Sequence, residues 1–442
     1  TNNSLTISNV SSLDAGSYAV TVSNSVSSVT SSNATLTVKT FNNTAQMTNI
    51  WNLLPGSRSY LATDNNQRGL AFNPATSNLL LVSRTISSNI IVLDAATGAE
   101  KYFMDVDPTV ITSGGSITFN LNKIGVAADG KVYAANLVTT GNANSFRIYS
   151  WDNDSSNTPP VLAFLGDPGS GSNLRWGDSV VVRGSGATTE ILLSAGNENT
   201  VSIIKMSGDN VTLDQTPQVI TVTDGGSPAP SAFAQLGLAF GAGNTFWAKN
   251  SSFALREVTY DPLAGTGDVT HSYSFNSVPS PVTSIAVETN LNFLAGLAIE
   301  NPDNVQLYNI SDLATGPVLR DQELFSVKNP NGNLTGQACF DGTRLFVLDS
   351  NNGIKAFNID TNFVANAAPY SITSVSVQNG NLVQVTWASE VGRVYQLQSK
   401  ALLTDSSWTN VGSPITATGT TTSTSTSFSE ATPTQFYRVQ TP

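Results

Sequence analysis

Between residues 69 and 358 short apolar runs and polar turns follow one another in a fixed order. A strand of small apolar residues is followed by a tight polar turn, a second apolar strand, a polar loop and a third strand with alternating side chains. The first strands fall at 69–72, 125–128, 179–182, 237–240, 284–287 and 337–340, and each has a partner at 79–83, 132–136, 191–195, 246–249, 293–297 or 345–349. Alternation predicts third strands at 90–93, 146–151, 201–206, 255–260, 305–309 and 354–358. Weaker outer strands follow at 101–104, 161–165, 218–222, 270–275 and 322–327, and the sixth copy has none of its own.

A four-stranded unit recurring about every 50 residues predicts a β-propeller, because one such sheet cannot bury both faces unless neighbours stack on it around a channel. The fold class expected is all-β with six blades, or seven if a degenerate blade lies in the long connections. Residues 49–54 form an apolar strand ahead of the first blade and are expected to supply the missing outer strand of the sixth, closing the ring. The propeller then occupies 45–366. Turns such as Asp94-Ala95-Ala96-Thr97-Gly98, Asp129-Gly130-Lys131 and Asp312-Leu313-Ala314-Thr315-Gly316 resemble those of bacterial surface-layer and quinoprotein-like propellers. Their Asp and Gly residues are turn formers in any case.

The flanks follow other patterns. Residues 5–10 alternate as a half-buried strand, and Asp14-Ala15-Gly16-Ser17-Tyr18 resembles the tyrosine corner of an immunoglobulin-like domain. The resemblance implies strands E to G of such a domain over 1–39, of the disulfide-free kind, since Val20 stands two residues after Tyr18. A whole sandwich needs about seven strands. The segment is therefore expected to pack on the propeller, to belong to a longer parent, or to be completed by strands of another copy through β-strand addition. From 369 to 442 strands are expected at 371–378, 382–387, 393–399, 408–411, 422–428 and 435–440, a run that resembles the fibronectin-III-like or immunoglobulin-like modules ending many secreted bacterial proteins. Trp387 and Trp408 read as its core residues.

Composition narrows the function. The 442 residues, a length suggesting about three domains, carry 20 Lys and Arg against 31 Asp and Glu, a net charge of −11. That balance is wrong for nucleic-acid binding, which needs cations to neutralise phosphates. No apolar run is long enough for a membrane helix. A charged fraction of 12% with abundant Asn, Ser, Thr and Gly suits an extracellular or cell-surface protein. The chain starts without Met or a leader, so either a leader has been removed or the chain is part of a longer polypeptide. The lone Cys339 reads as a small core hydrophobe.

Propeller topology puts the loops before first strands and after second strands on one rim. Arg68, Arg84, Lys123, Arg175 and Lys249 fall there with Asn136 and Trp176, while Phe253 is a further ring for stacking. Focused positive charge, amides and an aromatic ring suit a polysaccharide or cell-surface glycan, anionic or neutral. Alternatively, the cations knit loops to Glu198, Glu300, Asp303 and Asp349. His271 is the only histidine, which excludes a Ser-His-Asp triad and multi-His metal sites within one chain. Glu198, Glu300 and Asp349 are candidate carboxylates for a polysaccharide hydrolase or lyase. No cofactor is expected apart from calcium: Asp152 and Asp154 offer oxygens at alternate positions, without the glycine and distal Glu of an EF-hand. The functions in play are adhesion or glycan capture, a self-assembling surface or filament subunit acting through residues 1–39, and polysaccharide cleavage.

Overall fold

A computed structural model describes residues 16–23, 27–36, 46–112, 117–141, 145–169, 171, 173–361, 372–378, 382–389, 394–401, 407–419, 421–427 and 436–440. The protein is all-β and propeller-like, its one helical element among the described residues being the 3-10 turn Gly186–Thr188. The chain divides into two compact units, 1–361 and 362–442. The strand expected at 5–10 lies outside the described residues.

In the first unit, antiparallel four-stranded meanders follow one another. The strands Gln67–Asn73, Asn78–Ser83, Asn89–Asp94 and Glu100–Phe103 form one sheet, and Val282–Glu288, Phe293–Ala298, Asn304–Asn309 and Val318–Leu324 form another. Three meanders between these merge into a larger sheet. Val138 pairs with Trp176 at one junction, and the outer strands Gln218–Asp224 and Thr266–Tyr273 pair in parallel at the other. The outer strand of that last meander starts four residues before the expected 270, because Thr266 pairs with Asp261 straight after the turn.

The last meander takes its outer strand from the front of the chain. Gln46–Leu53 pairs antiparallel with Gly353–Asp360, which continues from Gly336–Asp341 and Arg344–Asp349. Side chains lock this join. Trp51 donates its indole N–H to the Ala95 carbonyl at 3.0 Å, and Phe346 stacks on Phe72 with ring centroids 5.8 Å apart.

The first strands pack side by side in a closed cycle: Gln67–Asn73 on Ile117–Val126, then Trp176–Arg183, Gly237–Phe240, Val282–Glu288, Gly336–Asp341, and back to Gln67–Asn73. Their small residues have a steric cause. A Cβ on Gly69 would meet the Asn122 carbonyl oxygen at 2.9 Å, and one on Gly125 would strike the Val182 side chain. Polar side chains stitch the ring from inside. Gln337 accepts the Leu70 N–H at 3.1 Å and donates to the Ile124 carbonyl at 2.8 Å. Around a central cavity of about 350 Å³ stand Leu70, Phe72, Ile124, Val182 and Phe240.

The repeated turns act through their aspartates. Asp94 Oδ1 accepts the Ala96 and Thr97 amides at 3.0 Å each, and Gly98, at φ 72°, returns its N–H to the Asp94 carbonyl. Asp312 and Gly316 repeat the arrangement.

Ahead of this ring, Gly16–Tyr18 pairs with Ala34–Leu36 and Thr21–Ser23 with Ser28–Thr30. Among the described residues the second unit holds two three-stranded antiparallel sheets: Ile372–Gln378, Leu382–Ala388 and Thr421–Ser427, and Val394–Lys400 with Thr409–Thr416 and Phe436–Gln440. Val385, Trp387, Tyr395 and Leu397 are buried together in its core. Trp408 is only half-buried and lies between the charged ends of Lys400 and Arg438, each 4.6 Å from a ring centroid.

Removing the Phe346 side chain, which is fully buried at the join between the last and first meanders, is expected to lower unfolding free energy by about 3–5 kcal/mol. Ile86→Ala, at a side chain 73% exposed, is expected to change it by no more than about 0.5 kcal/mol. Urea denaturation of both variants checks the pair.

Candidate functional site

The first strands reach the rim through irregular register. Pairing skips between Gln67 and Gly69, between Phe119 and Lys123, between Trp176 and Val180, and between Val282 and Ser284. A bulge leaves residues outside the ladder and re-aims their side chains. Here it frees Arg68, Asn122, Asp178 and Thr283 from regular pairing. Gly177, at φ 100°, makes the third of these bends where a Cβ would collide with the Asn136 carbonyl.

These bulges surround a cavity of about 480 Å³ at the channel mouth, lined by Arg68, Phe119, Arg175, Asp178, Gln235 and Asn250, with Thr118, Thr139, Ser251 and Asn333 among the remainder. Arg175 closes its guanidinium fork on Asp178, with Nη2 2.8 Å from Oδ1 and Nε on Oδ2. Gln235 also donates to Asp178 Oδ2, at 2.9 Å. Among the described residues Arg68 is held at one nitrogen only: Nε donates to Asn122 Oδ1 at 2.8 Å, and Asn122 is fixed in turn by donating to the Gly177 carbonyl. The Arg68 and Arg84 guanidinium carbons stand 5.3 and 3.5 Å from the Phe119 ring centroid. Burial, with Arg84 and Arg175 nearby, pushes Arg68 down to about 10 against the opposing pull of Asp178. Lys123 lies where the mouth meets the channel and donates to the Gly336 carbonyl. Burial first, and Arg68 second, push its ammonium down to about 7.

Of the residues expected on the rim, the structure brings Arg68 and Arg175 into the mouth, with Arg84 beside its Phe119 wall and Lys123 at its base. The other three are corrections. Trp176 is fully buried against Phe146, its ring turned into the core by the bulge that follows, so it offers no stacking surface. Asn136 is buried as a pin, donating to the Ser145 carbonyl and accepting the Arg147 N–H. Lys249 is fully buried, its Nζ on the Asn250 carbonyl and 5.4 Å from the Phe275 centroid; burial, with Arg256 near, pushes it down to about 7.

The carboxylates named for catalysis are separate from the mouth. Glu198 and Glu300 are exposed and do not line the cavity, and Glu300 accepts from Asn304 at 2.6 Å. Asp349 is fully buried, accepts Asn331 and the Asn351 N–H at Oδ1, and lies beside Asp303. Burial, reinforced by a hydrogen bond to Asp349 and its charge, pushes the Asp303 carboxyl up to about 8. Asp178 is the one carboxylate among the lining residues, so the pair a glycosidase requires is not assembled there. The proposed calcium loop is also redirected. Asp154 turns inward to accept Thr76 Oγ1 at 2.7 Å and Asn78 at 2.9 Å, while Asp152 pairs with Lys131 at 3.1 Å. No group of three or more His, Cys, Asp or Glu stands ready for a metal among the described residues.

Reasoning from sequence missed Phe119 and Asp178. The available signal was the pair Arg175 and Asp178 flanking Gly177 at the head of a strand, a spacing that lets a bulge turn both toward one side.

No protein-family model matches this chain, and no curated protein resembles it in sequence. Solved structures do resemble it in shape. A DUF4623 family protein from Bacteroides eggerthii is 16% identical with a TM-score of 0.52, over 78% of this chain and 82% of that one. A gluconolactonase from Xanthomonas campestris is 13% identical with a TM-score of 0.40, over 67% and 87%. A protein of unknown function from Bacteroides thetaiotaomicron is 11% identical with a TM-score of 0.43, over 78% and 82%. The first of these places the chain among all-β, propeller-like structures; at such identity the likeness concerns fold alone.

The buried charges set a pH profile. From the ordinary value of 3.8 to about 8 the folded chain keeps a proton on Asp303 that the unfolded chain has lost, so stability is full in acid and falls as pH rises through that window. Lys123 and Lys249 act oppositely from about 7 to 10.5, where the unfolded chain holds protons the folded chain lacks, so stability rises with pH. The melting temperature of the wild type is expected to pass through a minimum at about pH 7 to 8. Asp303→Asn is expected to flatten the acid limb and leave the alkaline one, as read by calorimetric scans across pH.

Proposed function

We propose that this chain is an extracellular binding protein that captures a glycan at the channel mouth. On this reading it is a six-bladed β-propeller closed by strand exchange, carried between an immunoglobulin-like segment over 1–39 and a fibronectin-III-like or immunoglobulin-like module over 369–442. The observation that carries the reading is the mouth cavity. It combines guanidinium, amide and hydroxyl groups from several first strands and their loops in one polar concavity of about 480 Å³, within the range of small-ligand sites. Sugar hydroxyls both donate and accept, which suits a lining in which Gln235, Asn250 and Asn333 provide both kinds of partner. Phe119 adds an apolar surface held between two arginines.

A second reading rests on the leading segment. Val20, Val22 and Val29 are 62, 69 and 72% exposed. Apolar side chains on short paired strands suit β-strand addition by another copy, which would make the chain a self-assembling subunit.

Screening the full chain on a glycan array is expected to give polar or acidic oligosaccharide hits. Gln235→Ala and Asn333→Ala are expected to weaken those hits about 3- to 10-fold, a loss of one or two hydrogen bonds, while Glu300→Gln outside the cavity leaves them unchanged. An empty array, or hits indifferent to both mouth variants, overturns the glycan reading. Size-exclusion chromatography with and without residues 1–39 tests the second; a monomer in both cases overturns it.

A further inference from the structure

The two arginines in the mouth differ in what they already hold. Arg175 has its fork closed on Asp178, and Asp178 is further occupied by Gln235. Arg68 is 3% exposed, yet among the described residues its guanidinium makes one hydrogen bond, from Nε to Asn122. Its two terminal nitrogens make no hydrogen bond or ion pair among the described residues, and they reach the water of the cavity that Arg68 lines. A charged donor without a protein acceptor at a cavity wall is satisfied by water or by a ligand.

The protein around Arg68 holds it in that state. Asn122 fixes Nε and is itself anchored to the Gly177 carbonyl at 2.6 Å. The Phe119 ring lies 5.3 Å from the Arg68 guanidinium carbon. The guanidinium is therefore positioned in advance with its free end toward the cavity, so little side-chain entropy is lost when something binds it.

We propose that the terminal nitrogens of Arg68 receive the carboxylate of an acidic sugar, a uronic-acid type of residue, in a paired, in-plane contact. This rests on the reading of the mouth as a glycan site. Planar geometry admits this anion: two parallel N–H donors match the two oxygens of one carboxylate. Arg175 and Asp178 are already paired with each other in the cavity, which leaves the Arg68 guanidinium, with Arg84 near it, as the charge an anion can meet. A neutral sugar hydroxyl would leave the guanidinium charge uncompensated. The remaining ring hydroxyls would fall to the amides and hydroxyls of the same cavity.

The test is isothermal titration of the full chain with glucuronate- and galacturonate-containing oligosaccharides and with their neutral counterparts of equal length. The acidic sugars are expected to bind at least about tenfold more tightly, the size of one charge-assisted contact. Arg68→Lys, which keeps the charge and loses the fork, and Arg68→Gln are both expected to erase that preference. Circular dichroism establishes that each variant is folded. If neither variant folds, competition on the wild type decides: simple carboxylates such as acetate are expected to displace the acidic sugar at concentrations where sulfate at equal ionic strength does not. Equal affinity for acidic and neutral sugars, a preference that survives in Arg68→Lys, or displacement by sulfate as effective as by acetate overturns the carboxylate site. Equal affinity of the wild type for acidic and neutral sugars, although it overturns the carboxylate site, leaves glycan capture standing. Free glucuronate binding through Arg68, with no sugar ring adding affinity over acetate, upholds the anion site and overturns glycan capture. Absence of binding by every sugar and carboxylate overturns both.

Discussion

Everything in the larger unit depends on the fact that a four-stranded meander has two faces and can bury them only against its neighbours. The first strands satisfy this by packing in a closed cycle, and their crowding there explains why Gly69 and Gly125 recur where larger residues would strike the next strand. A closed ring of sheets has a seam where chain connectivity ends. Gln46–Leu53 crosses it by pairing with Gly353–Asp360, so one sheet contains residues from both ends of the unit. Opening the ring requires breaking backbone pairing and the Trp51, Phe72 and Phe346 contacts together, which couples the seam to the core.

The same closure produces the polar mouth. Inner strands cannot all run straight into a narrow channel, and several of them bulge at one end. Bulging brings charged and amide side chains to a place where little water reaches them. Arg68 and Lys123 both lie below their ordinary values for that reason, burial being the first cause in each. The channel below is lined by apolar side chains such as Phe72 and Phe240 with polar surface in equal share, and Gln337 links first strands that are far apart in sequence. The polar cup at its mouth is the place offered to a glycan and to the carboxylate contact at Arg68.

Much of this was legible along the chain. The order of strands, the outer strand supplied by residues near 49–54, the Asp and Gly turns, and the arginines at the heads of first strands follow from periodicity and turn chemistry. What failed was direction at the bulges. Trp176, Asn136 and Lys249 occupy rim positions by count, yet Trp176 turns into the core, Asn136 pins a loop and Lys249 faces Phe275. A bulge of one or two extra residues re-aims the side chains around it, and no spacing rule registers it. Asp154 shows the same limit: its oxygens look like metal ligands in sequence but serve Thr76 and Asn78 across 78 and 76 residues.

The sequence by itself determined the repeating meander, because strand period and turn residues are local and act within a few positions. Tertiary structure alone decided which charges meet: Arg175 with Asp178 rather than with the rim acids, Asp303 with Asp349, and Arg68 with a free end in the mouth. Those pairings depend on bulged backbone and on contacts between strands distant in the chain, and burial then fixes their charge states, which local patterns do not encode.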